Sequence, residues 1–311
     1  MNVFEPAFMA AVLTATAPVV FAALGGLLCS LCGVFNIALE GQMLWGAFTA
    51  VVFSHLTGSA WLGVLGALVA TTLYAAVLSV SSVTFRADPI VVAVGTNLLA
   101  LGLTAFLMRR ILGTGGTYSS PDLAGLPTLA DLGLGDVPVL GKVLGQQSPL
   151  VIFAAVLVAM MAWWLLRTRS GLRIRGIGQH PEAAASLGLK VGPYRHWAVL
   201  GAGALCGLAG AQLALGNVTL FSEGMSAGRG WVAVVAVMLG GDRVYGVVAA
   251  CLLFGVAEAL GFRLQGLGLP QQAADAAPYV ITLLALVLTQ LRRRRTRPAA
   301  SPTGSDVEVA V

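Results

Sequence analysis

The chain has 311 residues, of which 58% are hydrophobic and only 10% are charged, and its formal net charge at pH 7 is +5. Because an average soluble domain carries about 25% charged residues, this composition excludes an ordinary soluble protein and indicates an integral membrane protein. The four cysteines lie within apolar runs, where they behave as small hydrophobic residues and predict neither disulfides nor a metal site.

Apolar windows recur along the chain at lengths suited to membrane helices, since crossing about 30 Å of hydrocarbon takes about 20 helical residues. We predict an all-α, polytopic transmembrane helix bundle with about eight or nine membrane segments, some of them broken. A ninth run has about half of the required length. The full windows are 8–28, 34–55, 60–84, 90–111, 149–167, 196–216, 244–262 and the slightly short 277–291, and the half-length run is 230–241.

The basic residues between these windows predict the orientation. Cytoplasmic loops carry an excess of Lys and Arg, which places the loop 168–195 and the C-terminal tail inside and the N-terminus outside. The chain then divides into a transmembrane domain, residues 1–291, and a basic cytoplasmic tail, residues 292–311, which we expect to be disordered. The segment 112–148 becomes the largest extracytoplasmic loop.

Polar side chains inside the apolar windows mark where a solute could cross, because burying them in lipid is costly. After a glycine-containing break at Gly33, Asn36 and Glu40 lie four positions apart, which predicts that they share one helical face. Thr96 and Asn97 form a second polar group. We predict a translocation path lined by Asn36, Glu40, Thr96 and Asn97.

A short run that opens at Gly228 and closes at Gly241 predicts a further broken membrane element, and such breaks point to a translocation pathway. Glu258 is another acid within an apolar window. The residues alone leave an alternative open, in which Glu40 and Glu258 are protonated or hydrogen-bonded packing groups.

The centre of the polar loop predicts a short helix. Pro181 suits the first helical position, an acid at Glu182 favours the helix N-terminus, and Gly188 suits the stop. Held at the membrane by the surrounding cations, this helix would offer a surface to another protein, although an ordinary loop without a partner is the alternative. The surface comprises Pro181, Glu182, Ala183, Ala184, Ala185, Ser186, Leu187 and Gly188.

No motif for catalysis or ATP binding stands out. A P-loop must end in Gly-Lys-Ser/Thr, but the nearest stretch, Gly135–Val143, has one residue too many and a valine in place of the hydroxyl residue. The three histidines are scattered and predict no metal site. We therefore predict that the chain is not an enzyme and has no catalytic residue, no metal and no bound cofactor.

Three blocks resemble the signatures of the permease subunits of ABC importers of the ribose, nucleoside and branched-chain amino-acid group. They are Gly33-Val-Phe-Asn-Ile-Ala-Leu-Glu-Gly41, Gly171-Leu-Arg-Ile-Arg-Gly-Ile-Gly-Gln-His-Pro-Glu-Ala-Ala-Ala-Ser-Leu-Gly188, and Met225-Ser-Ala-Gly-Arg-Gly230 through Met238-Leu-Gly-Gly241. The likeness is strongest to the simple-sugar and nucleoside class and covers roughly residues 10–290. Many members carry an acidic-basic pair just ahead of Gly33, where this chain has Ser30-Leu31-Cys32.

This resemblance implies a multi-pass permease subunit in the bacterial cytoplasmic (inner) membrane, which translocates a small polar solute, such as a nucleoside or a simple sugar. The implied partners are two ATPase subunits that hold ATP and Mg, an extracytoplasmic solute-binding lipoprotein and a second, non-identical permease subunit. Membrane lipid surrounds the chain, and no nucleic acid is involved. The helix Pro181–Gly188 becomes the coupling helix that sits in a cleft of the ATPase.

The same resemblance implies that the binding protein docks on the outer face. Candidate docking residues are Arg109, Arg110 and Arg229, together with the loop 112–148. Two other functions remain open from the sequence: a branched-chain amino-acid ABC permease, and a stand-alone secondary transporter with Glu40 or Glu258 as proton carrier.

Overall fold

The structure, a computed structural model, describes residues 6–131 and 143–265. The chain divides into two compact units, residues 1–259 and 260–311, and the second is described only over 260–265. The packing and the sites belong to the first unit. The predicted window 277–291 and the predicted tail 292–311 lie outside the described residues.

The described chain is mainly helical, with one two-stranded ribbon. Strands β1 (Thr117–Tyr118) and β2 (Phe221–Ser222) pair antiparallel, and π-helical turns at Val80–Thr84 and Gln212–Asn217 extend α3 and α8. The helices are α1 (Pro6–Leu31), α2 (Leu39–Thr57), α3 (Ala60–Ser79), α4 (Pro89–Ile111), α5 (Pro149–Arg167), α6 (Arg169–Gln179), α7 (Pro181–Ser186), α8 (Val191–Ala211), α9 (Arg229–Gly240) and α10 (Val244–Gln265).

Six helical segments of the described residues are long and apolar enough to cross a membrane. Helix α2 has 19 residues but is not among them, because Glu40, Gln42 and His55 lower its hydropathy, and α9 has only 12 residues. The helical membrane-protein class is therefore confirmed. The six segments are Pro6–Leu31, Ala60–Thr84, Pro89–Ile111, Pro149–Arg167, Val191–Asn217 and Val244–Arg263.

Helix α2 lies at the centre of the first unit, where it packs against α3, α4, α8 and α9. Glycines allow the close approach: a Cβ atom at Gly46 would lie 2.9 Å from the Cα of Gly207, and one at Gly207 would lie 2.6 Å from the carbonyl oxygen of Ala67. Small residues at helix contacts let backbones approach within lipid. The central helix is therefore shielded by its neighbours, which explains why it tolerates polar residues.

The loops mark two opposite ends of this unit. At the end of α2, Ser54 donates to the carbonyl of Ala124, and the Tyr118 hydroxyl lies 3.0 Å from Nδ1 of His55. At the end of α3, which runs back along α2, the Ser79 hydroxyl lies 2.6 Å from Nδ1 of His196 at the start of α8. The segment before α5 and the segment before α8 therefore belong to opposite ends.

Candidate functional site

A cavity of about 350 Å³ lies between α2, α4 and the start of α9. Its volume falls within the range of about 300–1,000 Å³ that is usual for small-molecule sites. The lining includes Glu40, Gly41 and Leu44 of α2, Asn97, Leu98 and Leu101 of α4, and Ser226, Gly228 and Trp231 around the start of α9. The structure thus brings two residues of the predicted path, Glu40 and Asn97, into one cavity.

The Glu40 carboxylate closes the N-terminus of α9. Its Oε1 accepts the backbone N–H of Gly228 at 2.8 Å, and its Oε2 accepts that of Gly230 at 2.7 Å. The first turn of a helix leaves backbone N–H groups without partners and carries partial positive charge, so an acid stabilises it. Both carboxylate oxygens therefore accept backbone hydrogen bonds, and the helix dipole offsets the negative charge.

Two glycines make this contact possible. Gly228 has φ +83°, a left-handed conformation that favours glycine, and a Cβ atom at Gly230 would overlap the backbone of Glu40. The predicted break at Gly228 and the predicted polar residue Glu40 are thus parts of one structural feature.

Asn97 fixes the beginning of α2. Its Oδ1 accepts the N–H of Gly41 at 2.7 Å, and its Nδ2 donates to the carbonyl of Ile37 at 3.1 Å. Thr96 beside it is buried, and its carbonyl accepts the hydroxyl of Tyr74. The cavity wall formed by α2 and α4 is therefore held together by side-chain hydrogen bonds to backbone.

The prediction that Asn36 and Glu40 share one helical face is wrong. Gly33 has φ +72° and ends α1, and Asn36 lies in the non-helical segment that follows. Its Oδ1 accepts the N–H of Ala38 at 2.9 Å, a local bond that competes with helix formation. Asn36 instead lines a second cavity, of about 220 Å³, with Ser30, Leu39, Val234 and Asp242 among its other walls.

Arg229 and Glu258 form an ion pair at 2.5 Å, and Arg229 also donates to the carbonyl of Met225 at 3.4 Å. Their side chains are only 23% and 19% exposed. An ionisable group within a membrane segment is costly without a partner, and each of these residues supplies the partner of the other. Arg229 therefore directs its charge towards α10, whereas sequence analysis had placed it among the docking residues.

The other two predicted docking residues lie at the end of α4. Arg109 forms a looser pair with Glu223 at 3.7 Å, its side chain is 70% exposed, and Arg110 is also exposed. Glu223 accepts the N–H of Gly116 as well, so this pair lies beside the ribbon of β1 and β2. These cations are accessible at the end of the unit that carries the 112–148 loop.

The predicted path did not include several polar or aromatic residues that lie near it. Gln42 is 1% exposed, and neither amide atom has a hydrogen-bond partner in the described chain. Trp45 stacks on Tyr74 with 5.4 Å between ring centroids. Trp231 lines the larger cavity, and its position one turn after the break at Gly228 was the available signal.

Helix α7 begins at Pro181, as predicted, and Gly188 has φ +82° after its end. Of its residues only Ala184 is buried, and Leu187 just beyond it is 82% exposed. The preceding helix, α6, packs closely against the end of α1, because a Cβ atom at Gly178 would overlap the carbonyl of Leu31. The predicted helix is thus confirmed, and its contact with a partner stays a prediction.

Comparison with known proteins agrees with the resemblance seen in the sequence. Residues 8–288 match the family described as "Branched-chain amino acid transport system / permease component". The chain is 36% identical to the guanosine ABC transporter permease protein NupQ of Bacillus subtilis over 287 residues, which cover 89% of each protein. It is 34% identical to the nucleoside ABC transporter permease protein NupC of Lactococcus lactis (87% and 88% covered) and 31% identical to the putative glucose ABC transporter permease protein TsgC13 of Haloferax volcanii (86% and 80% covered).

Proposed function

Since this chain belongs to the family of branched-chain amino acid transport permease components and is the membrane-embedded permease subunit of an ABC importer, we propose that its cargo is a nucleoside. The observation that carries the proposal is the 36% identity over 89% of both chains to a permease named for guanosine. A second relative is named for nucleosides, and the relative named for glucose is less similar.

The larger cavity supports a neutral cargo. Glu40 is the acid in its lining, and both carboxylate oxygens accept backbone N–H groups at the N-terminus of α9. Broken helices in other transporters use such N-termini to bind the carboxylate of an amino acid. Because Glu40 occupies these donors, the cavity offers little to an amino-acid carboxylate, and a nucleoside or a simple sugar suits it better.

The partnered carboxylates also disfavour a stand-alone proton-coupled transporter. Glu40 accepts two backbone N–H groups and Glu258 pairs with Arg229, so both carboxylates already have structural partners. A proton carrier must instead be free to exchange its partners during each transport cycle. The energy for transport is therefore assigned to ABC ATPase subunits, which bind the ATP and Mg that this chain does not bind.

The proposal includes an orientation and a set of partners. The N-terminus lies outside, the tail 292–311 lies inside, and nine segments, including α9 and the window 277–291, enter a bacterial cytoplasmic membrane. A second, non-identical permease subunit completes the channel. The end with Arg109 and Arg110 receives the binding lipoprotein, and α7 at the other end contacts the ATPase, which is supported by their location at opposite ends of the helices.

The proposed mechanism is alternating access. Closure of the ATPase subunits moves α7, and because α6, which leads directly into α7, packs against the end of α1, the motion reaches the α1–α2 break. Arg195 strengthens this link by donating to the carbonyl of Cys32 at 3.2 Å. The helices around the larger cavity then tilt to expose it to the other side of the membrane.

Cargo can be tested with the complete importer in proteoliposomes that contain ATP. Labelled guanosine, glucose and leucine are supplied separately with the binding protein. Accumulation of guanosine alone supports the proposal. Accumulation of leucine or glucose without guanosine would overturn the cargo assignment, and accumulation driven by a proton gradient without ATPase would overturn the ABC mechanism.

A further inference from the structure

The two cavities lie one after the other along the same face of α9, and we infer that they are successive solute sites separated by the side chain of Leu39. This inference rests on the proposed function, because it takes the solute to be a small neutral molecule with hydroxyl groups. The larger cavity, lined by Glu40 and Trp231, is called the upper site, and the smaller one, lined by Ser30 and Asp242, is called the lower site.

Helix α9 is the shared wall. Trp231 lines the upper site, and Val234 and Met238 line the lower site, at spacings of three and four that place all of them on one helical face. On the opposite wall, Leu39 lines the lower site and the next residue, Glu40, lines the upper site. The boundary between the cavities therefore passes through the first turn of α2.

Leu39 forms the barrier at this boundary. It is fully buried, with 0% exposure, and it lies between α1 and α9: a Cβ atom at Gly26 would lie 2.9 Å from its Cδ1 and 3.2 Å from Cγ2 of Val237. One flexible aliphatic side chain thus fills the space where three helices converge. A change of its rotamer, or a small shift of α2 relative to α9, would join the two cavities.

The lower site has the polar groups that a hydroxyl-bearing solute needs. Ser30 donates to Oδ1 of Asp242 at 2.6 Å. The Asn36 amide in the same lining already bonds to Cys29 and Ala38, so Ser30 and Asp242 are the groups that the site offers to a solute. The carboxylate of Asp242 can accept further hydroxyl donors. Its bond to Ser30 also ties the end of α1 to the turn after α9, which closes the lower site at the end of the unit that carries α7.

The barrier is tested by replacing Leu39 with alanine in the complete importer reconstituted without ATP. Leu27→Ala is the matched control, since Leu27 is also 0% exposed but lines neither cavity. We expect Leu39→Ala to raise the ATP-independent leak of guanosine and of glucose by roughly tenfold, because removing the side chain removes the obstacle. An ATP-independent leak through Leu39→Ala that is no greater than the leak through Leu27→Ala would overturn the inference.

Cysteine labelling tests the same order of sites without relying on a destabilising variant. Trp231→Cys and Ser30→Cys are made separately, and a small membrane-impermeant thiol reagent is applied from each side in turn. The four native cysteines are buried and have 0% exposure, and the unmodified chain measures their background. The inference requires that the two new cysteines react from opposite sides, and reaction from the same side contradicts it.

These results separate the barrier from the cargo. If Leu39→Ala leaks both solutes while the wild-type importer accumulates glucose rather than guanosine, the result supports the Leu39 barrier and contradicts the proposed nucleoside cargo. If the wild type accumulates guanosine while Leu39→Ala does not leak, the result supports the nucleoside cargo and contradicts the Leu39 barrier.

Discussion

The carboxylate of Glu40 accepts the backbone N–H of Gly230, and the two residues approach so closely that a side chain at position 230 would overlap the Glu40 backbone. This contact joins the first turn of α2 to the first turn of α9. It gives the larger cavity a wall in which an acid is present but its charge is offset by a helix N-terminus.

Replacing Glu40 with glutamine tests this contact. An amide has a single oxygen, so one of the two N–H groups of Gly228 and Gly230 loses its acceptor, at a cost of about 1–3 kcal/mol. We expect uptake to fall by about tenfold while the amount of assembled importer changes little. Asp88→Asn is the control, because one oxygen of that exposed acid accepts two N–H groups at the start of α4 and an amide keeps that oxygen. Unchanged transport in Glu40→Gln would reduce Glu40 to a packing residue.

The close approach itself can be tested at Gly230. Gly230→Ala places a methyl group against the Glu40 backbone, which cannot move aside as a flexible side chain would, so we expect lost transport and a lower melting temperature of the solubilised importer. Gly102→Ala is the control, because nothing lies within 4 Å of a Cβ atom at that exposed helical position. It should be neutral or stabilising by about 0.4–1 kcal/mol. Equal melting temperatures for the two variants would refute the overlap.

Exchanging the two charges of the Arg229–Glu258 pair should restore part of the uptake that either single substitution removes. Removing one partner of this partly buried pair leaves the other charge without compensation, and that loss reaches about 3–5 kcal/mol for fully buried pairs. We expect Arg229→Glu and Glu258→Arg each to abolish uptake and the double variant to recover part of it.

The Arg109–Glu223 pair supplies a stability control, which is read from the melting temperature because Arg109 is also a proposed docking residue. It is longer, at 3.7 Å, and the Arg109 side chain is 70% exposed, so a swap there should change stability by less than about 1 kcal/mol. A double swap of Arg229 and Glu258 that is no better than either single variant would show that their pairing has no role.

Replacing Gln42 should stabilise the protein, whereas most core substitutions destabilise it. Both of its amide atoms are buried without a hydrogen-bond partner, so Gln42→Met should raise the melting temperature of the solubilised importer. Gln212 is equally buried, but its amide bonds to Ser148 and Asn217, so Gln212→Met should lower it. A lower melting temperature for both variants would mean that the Gln42 amide is satisfied in the assembled importer.

The sequence was a good guide to features with a strong local signal. Pro181 and Gly188 correctly predicted the short helix α7 and its end, and the glycines at 228 and 241 correctly bounded α9. Each of these positions depends on backbone conformation, which proline and glycine control directly.

Features that depend on tertiary contacts were harder to predict. Asn36 was placed on a helix because the spacing to Glu40 fits one, but its side chain bonds to the N–H of Ala38 instead. Nothing in the sequence paired Arg229 with Glu258, which lies 29 positions further along in another helix. The two cavities depend on how α9 packs against α1, α2 and α4, and periodicity alone does not contain that information.

We propose that ATPase subunits drive this chain through α7. The most direct measurement compares solute-stimulated ATP hydrolysis by the complete importer with and without residues Glu182–Leu187. A milder pair consists of Leu187→Ser, at the 82% exposed end of α7, and the control Leu56→Ser, at the 68% exposed end of α2. We expect the deletion and Leu187→Ser to abolish or strongly reduce stimulation and Leu56→Ser to retain it. Full stimulation without Glu182–Leu187 would show that α7 does not transmit the motion of the ATPase.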